Sequence, residues 1–316
     1  MDKEKKLTPN LPKGFKDRYG SELETKKKIV SKIENIFKSY GYQPLETPAL
    51  EISENIGSFL AEDPNNPMSD VFTFKDEKES LTLRYDLSAP LSRFIAQNYM
   101  NIVFPFKRYA YGDVFRQEKA DVARFRSFSQ FDADIIGDVN EAQADAEIYN
   151  LIADSFLGCG LKKEQFVINV SNKKILQGLL REIKIPDEKQ YQVLKTIDKL
   201  DRLGFEGVEK LLKDGRTDGS GAFIAGCKLS DDQVSQIKTT INSKNLNELK
   251  SNLKNELSIT GVNELEELYE VLSYGNNLER VQTNICITRG LSYYSSFVVE
   301  TNLNFKIKNA KGKEVT

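Results

Sequence analysis

Apolar and polar positions along this chain change period several times, and each change marks an element. Residues 21–40 carry Ile29, Ile33, Ile36, Phe37 and Tyr40 at three- and four-residue spacing, an amphipathic helical stripe that Gly41 ends. The segment YQPLETPALE reads as a short strand closed at Thr47-Pro48. Strands are predicted around Phe72-Thr73-Phe74 and from Leu81 to Asp86, joined by the polar turn KDEKES; a helix follows from Ala89 to about Met100. Alternation returns in Phe106–Phe115 and again after Arg124. On that last limb Arg126, Phe128, Gln130, Asp132 and Asp134 share one face, and Phe131, Ala133 and Ile135 the other.

Residues 141–157 predict another amphipathic helix, with Ile148, Tyr149, Ile152 and Phe156 on its stripe, and 166–170 a short strand. From 174 to 276 the chain turns Lys-, Glu- and Leu-rich with helical spacing, broken by a surface turn at 215–221. Strand patterns resume at 283–288 and 297–307. Strands arriving in hairpins among helices predict an α+β fold, an antiparallel sheet flanked by helices. The expected division is a core at 1–173, a helical insertion at 174–276, and the core continued over 277–316. A hairpin turn at 309–312 feeds a return strand that stops at Thr316, so the chain is expected to be a C-terminally truncated fragment.

Composition narrows the chemistry. The 316 residues, 39% hydrophobic and 29% charged, suffice for about two domains. No apolar run reaches membrane-spanning length and the N-terminus has no signal-peptide core, so a soluble cytoplasmic protein is expected. A net charge of −2 gives no global attraction to nucleic acid. The three cysteines, widely spaced, predict buried thiols rather than a disulfide or metal framework. There is no histidine, which removes Ser-His and Cys-His nucleophile pairs and histidine-ligated metal sites. Chemistry must run on carboxylates, arginines, backbone groups or the substrate itself. A strand face bearing an arginine, an amide and two carboxylates suits a small zwitterion beside a polyphosphate.

Three stretches carry a resemblance. Phe115-Arg116-x-Glu118, a loop, then Arg124-x-x-x-Phe128 resembles the second signature motif of the class II aminoacyl-tRNA synthetases. The continuation Ser129-Gln130-Phe131-Asp132-Ala133-Asp134 narrows this to the histidyl-tRNA synthetases. Leu83-Arg84-Tyr85-Asp86-Leu87-Ser88-Ala89-Pro90 resembles that family's LRYDLTAP segment, and Arg289-Gly290-Leu291-Ser292-Tyr293-Tyr294 its RGLDYY motif. The helix at 21–40 and the strand after it, ending in proline, resemble the first class II motif, which implies a homodimer interface.

The resemblance implies a histidine–tRNA ligase. Histidine and Mg-ATP would give histidyl-adenylate, and histidine would then pass to tRNA(His). Arg116 and Arg289 are implied as catalytic. Arg116, Glu118, Arg124 and Phe128 would bind ATP; Asp86, Ser88, Gln130, Asp134, Tyr293 and Tyr294 would bind histidine. ATP with Mg2+ held mainly through its phosphates is the implied cofactor set, with no metal ligand from His or Cys. Departures are Ser292 for an acid, Ser88 for threonine, and Asp86 and Asp134 for longer glutamates. The loop Lys119-Ala120-Asp121-Val122 lacks the family's Arg-Pro-Gln. Nothing matches the third class II motif or an anticodon-binding domain, so this stretch by itself is expected to be weak or inactive. The alternative is a non-catalytic paralogue, a regulatory subunit of ATP phosphoribosyltransferase in histidine biosynthesis.

Overall fold

The computed structural model describes residues 8–56, 71–76, 78–120, 124–219, 221–288, 294–308 and 314–315. The chain forms two compact units, one of residues 1–139, 154–159 and 309–315, the other of 140–153 and 160–308.

The first unit opens with α1 (Gly20–Ser39), which buries Phe37. Its end is set by Gly41, whose φ of +83° lets Tyr42 N–H reach the Phe37 carbonyl at 3.1 Å and Gly41 N–H the Lys38 carbonyl at 3.0 Å. β1 (Gln43–Pro44), β2 (Leu50–Ile52) and the single turn α2 (Ser53–Ile56) follow. The one strand expected here is thus two, in different sheets: β1 pairs with β5 (Phe106–Phe115), β2 with β4 (Glu79–Leu83). Proline at 44 and 48 withholds amide donors and forces the break. β3 (Thr73–Asp76) completes the second sheet on the far side of β4, and α3 (Ser88–Asn98) comes next.

β5 and β6 (Ser127–Ile136) form the long antiparallel hairpin that the alternation predicted. One face is aromatic: Phe131 meets Phe37 edge-on at 4.9 Å between centroids and stacks on Tyr109 at 5.8 Å, sealing the sheet to α1. The opposite face pairs Val114 with Phe128, Gly112 with Gln130, Ala110 with Asp132 and Arg108 with Asp134. Leu87, Ala110 and Val114 make a small buried cluster there, with Phe128 packed against it.

α4 (Glu141–Gly158) leads to β7 (Phe166–Asn172), the centre of the second unit's sheet. β10 (Val281–Thr283) joins β7 in parallel and β11 (Phe297–Leu303) antiparallel. Sequence from both sides of 174–276 therefore builds one sheet. The strand expected over 283–288 lies earlier, because the Asn284 side chain accepts from Cys286 N–H at 3.1 Å and bends the chain. Between these strands come α5 (Lys173–Glu182), α6 (Asp187–Ile197), α7 (Leu200–Leu212), α8 (Asp231–Ile241), α9 (Leu246–Ser251) and α10 (Glu256–Ser273). α5 and α10 cross closely: a Cβ on Gly178 would meet Ser258 Oγ at 2.2 Å, and one on Gly261 would meet Ile175 at 2.9 Å. The break at 215–221 is a hairpin, β8 (Gly215–Thr217) against β9 (Phe223–Ala225). β12 (Ile307–Lys308) and β13 (Glu314–Val315) stand where the terminal hairpin was expected; its turn lies outside the described residues. Of the cysteines only Cys227 is buried; Cys159 and Cys286 keep partial exposure.

Candidate active site

The polar face of the β5–β6 hairpin is roofed by residues 84–88. Gly112 makes this possible, since a Cβ there would stand 2.3 Å from Arg84 Nη2. The buried Arg84 guanidinium donates to the carbonyls of Asp113 and Thr47, both at 2.8 Å, and its backbone accepts from Phe115 N–H at 3.0 Å. Asp86 Oδ1 accepts from the amides of Ser88 at 3.1 Å and Ala89 at 2.9 Å, capping α3. Arg93 grips the buried Glu51 through two contacts of 2.7 and 2.9 Å, tying α3 to β2. Arg84 and Asp86 are therefore separate structural anchors, not a surface ion pair.

At the loop end of the hairpin the Arg116 guanidinium stands 4.3 Å from the Tyr85 ring centroid and 5.1 Å from that of Phe128. Its backbone amide donates to the Arg126 carbonyl at 2.8 Å, and Arg126 N–H to the Gly14 carbonyl at 2.8 Å. Glu118 accepts from the Tyr85 hydroxyl at 3.3 Å and faces the exposed Arg124 at 3.4 Å. Arg116 and Glu118 thus meet Tyr85, with Phe128 beside Arg116 and Arg124 beside Glu118.

The other end is acidic. Arg108, wholly buried, holds Nη2 2.6 Å from Asp134 Oδ2 and donates to the Leu87 carbonyl at 3.1 Å. Asp134 Oδ2 is buried without a hydrogen-bond partner among the described residues, so its contact with Arg108 is one of charge. Arg108 Nε and Nη1 and Gln130 Oε1 are buried with no hydrogen-bond partner among the described residues. Burial raises the Asp132 carboxyl to about 6; Arg108 and Arg116 oppose this, Asp134 and Asp86 add to it. Asp134 is raised for the same reasons, burial first, with Arg108 opposing.

Of the residues expected at the site, Asp86, Ser88, Arg116, Glu118, Arg124, Phe128, Gln130 and Asp134 belong to the first unit. Tyr294 belongs to the second, where its carbonyl accepts from Lys173 at 2.9 Å. Arg289 and Tyr293 lie outside the described residues. Sequence reasoning missed Arg108 and Tyr85. Arg108 had a signal: it is in phase with Ala110, Gly112 and Val114, and so points to the inner face.

A family model described as histidyl-tRNA synthetase matches residues 14–301. The chain belongs to the histidyl-tRNA synthetase family. A histidine–tRNA ligase of Pelagibacter ubique is 59% identical over all of this chain and 68% of its own length. One from Bartonella bacilliformis is 39% identical over 99% of the chain and 65% of that relative. The chain thus spans about two thirds of these synthetases. A crystal structure of histidyl-tRNA synthetase from a Nostoc species superposes with TM-score 0.76 at 26% identity, over 94% of this chain and 66% of that one. A Bacillus halodurans structure, titled as an ATP phosphoribosyltransferase regulatory subunit/histidyl-tRNA synthetase, gives TM-score 0.78 at 22% identity. It covers 96% of this chain and 74% of its own, and that likeness speaks for the fold. Among the described residues no helix is long and apolar enough to cross a membrane.

Proposed function

We propose that this chain supplies amino-acid activation to a histidine–tRNA ligase, forming histidyl-adenylate for transfer to tRNA(His). The observation that carries the reading is Arg116, a cation fixed between two aromatic rings at the mouth of an acidic, half-buried strand face. Activation brings two anions together: a carboxylate oxygen attacks the α-phosphorus of ATP, and the bond to pyrophosphate breaks. Catalysis of that kind rests on positioning and on fixed positive charge rather than on a titrating base. Arg116 would bridge the carboxylate and the α-phosphate, its planar fork matching both. Arg124 would meet the outer phosphates, Glu118 the adenine amino group, and Phe128 the adenine ring. Magnesium would arrive on the phosphate oxygens and neutralise part of their charge. Arg289, on its own motif, would face Arg116 across the α-phosphate.

The acidic end, with Asp86, Ser88, Gln130 and Asp134, would take the ammonium and side chain of histidine, joined by Tyr293 and Tyr294. β10 and β11 returning to β7 supports reading 174–276 as an insertion into a catalytic core of 1–173 and 277–316. A homodimer through the α1 region follows from the first motif. Histidine-dependent exchange of pyrophosphate into ATP tests the proposal on the full-length protein. Exchange with histidine and not with other amino acids is the expected result. Histidine binding without exchange would overturn it in favour of a regulatory paralogue, whose site has no use for Arg116, Glu118 and Arg124.

A further inference from the structure

We propose that Glu264, on α10, is a positioning residue that fixes the end of the Arg289–Tyr294 segment, where Tyr293 and Tyr294 would bind histidine. The assignment rests on that reading of the two tyrosines. The sheet shows where the segment is held. Phe297 of β11 pairs with Asn172 of β7, and next to that rung Lys173 N–H donates to the Ser296 carbonyl at 2.8 Å. Two residues earlier, the Tyr294 carbonyl accepts from Lys173 Nζ at 2.9 Å. Tyr294 is 45% exposed, so burial alone does not set its place.

The group that gathers these anchors is the Glu264 carboxylate. Its Oε2 accepts from Asn172 Nδ2 at 2.6 Å and from Ser296 Oγ at 2.7 Å, and its Oε1 accepts from Lys174 Nζ. Asn172, wholly buried, also accepts from Lys174 N–H at 3.0 Å and so caps α5. One carboxylate therefore joins the end of β7, the start of α5 and the start of β11. Gly261 lets α10 come close enough. It shares a helix face with Glu264, three residues on, and a Cβ there would stand 3.0 Å from Asn172 Oδ1. Burial pushes the Glu264 carboxyl up, but hydrogen bonds from Lys174, Asn172 and Ser296 outweigh it and hold it below the usual carboxylate range. The acceptor is thus a full charge. Because α10 lies within 174–276, the region read as an insertion bears on histidine through this contact.

The test is histidine-dependent pyrophosphate exchange by the full-length protein, for the wild type, Glu264→Gln and Lys173→Met, with melting temperatures. A glutamine would set an amide donor against the donors of Asn172 and Lys174. Misplacing a substrate-binding group by about 1 Å can cost about 10²-fold. Loosening one wall is expected to raise the histidine KM about tenfold and leave the ATP KM within about twofold. Lys173→Met removes only the donor to Tyr294 and should show the same split. It decides the matter if Glu264→Gln does not fold. Glu266→Gln breaks a pair with Lys250 at 2.9 Å on the same helix and is the control, with both KM values at wild type. A wild-type histidine KM in folded Glu264→Gln, or histidine and ATP KM values rising in parallel, would overturn the assignment alone. A wild-type protein with no histidine-dependent exchange would overturn the reading of the site and the assignment together.

Discussion

The guanidinium of Arg116 lies 4.3 Å from the centre of the Tyr85 ring, so the roof segment and the end of β5 share one cation. The plane of the guanidinium, as well as its charge, fixes the site. Arg116→Lys keeps the charge and loses the plane. We expect kcat for histidine-dependent exchange to fall by about 10²–10³ with the melting temperature near wild type, measured by exchange and circular dichroism.

Arg108 and Asp134 form a buried pair, and breaking it from one side strands a charge. Arg108→Met is expected to cost about 3–5 kcal/mol, and Asp134→Asn about 3 kcal/mol because that carboxylate keeps some solvent contact. The double variant should fall short of the sum by about 1–3 kcal/mol. Urea unfolding of the four proteins checks this; additivity would show that the pair is not coupled.

The chain has no histidine, so carboxyls govern its stability near neutral pH. Burial raises Asp132, and burial with repulsion from Glu141 and Glu264 raises Asp145, both to about 6. Each holds its proton more tightly folded than unfolded. Their contribution is present at low pH and is lost as pH rises through about 6. The urea midpoint should therefore be higher at pH 5.5 than at 7.5. Asp132→Asn and Asp145→Asn should each flatten that difference and stabilise at pH 7.5.

Gly178 has no room for a side chain at the α5–α10 crossing. Gly178→Ala is expected to destabilise by about 1–3 kcal/mol through overpacking. Gly219, with nothing within 4 Å of a built Cβ, is the control, and its alanine variant should stay within about 0.5 kcal/mol of wild type. Thermal unfolding separates the two.

The hairpin of β5 and β6 was legible because a period of two needs only neighbouring residues. The same alternation placed Arg126 to Asp134 on one face before any partner was known. What it could not give was register, and Arg108 matters only because register sets it opposite Asp134. The strand near Thr47-Pro48 was misjudged for a related reason. Its two halves pair with strands far apart in sequence, and the prolines that split it read locally as a mere end. Asp86 was singled out through resemblance, while its capping of α3 depends on where the helix starts.

The hydrogen bond from Arg126 N–H to the Gly14 carbonyl extends the ladder beyond the hairpin to the N-terminal lead-in. Gly14 suits the place, with φ of +86° and only 2.8 Å between a built Cβ and the Arg126 side chain. The contact closes a long loop of chain, and long loops close late because their entropy is lost before contacts return it. The lead-in around Gly14 is thus expected to lock late. Amide exchange at Arg126 reports when the mouth of the site has finished folding.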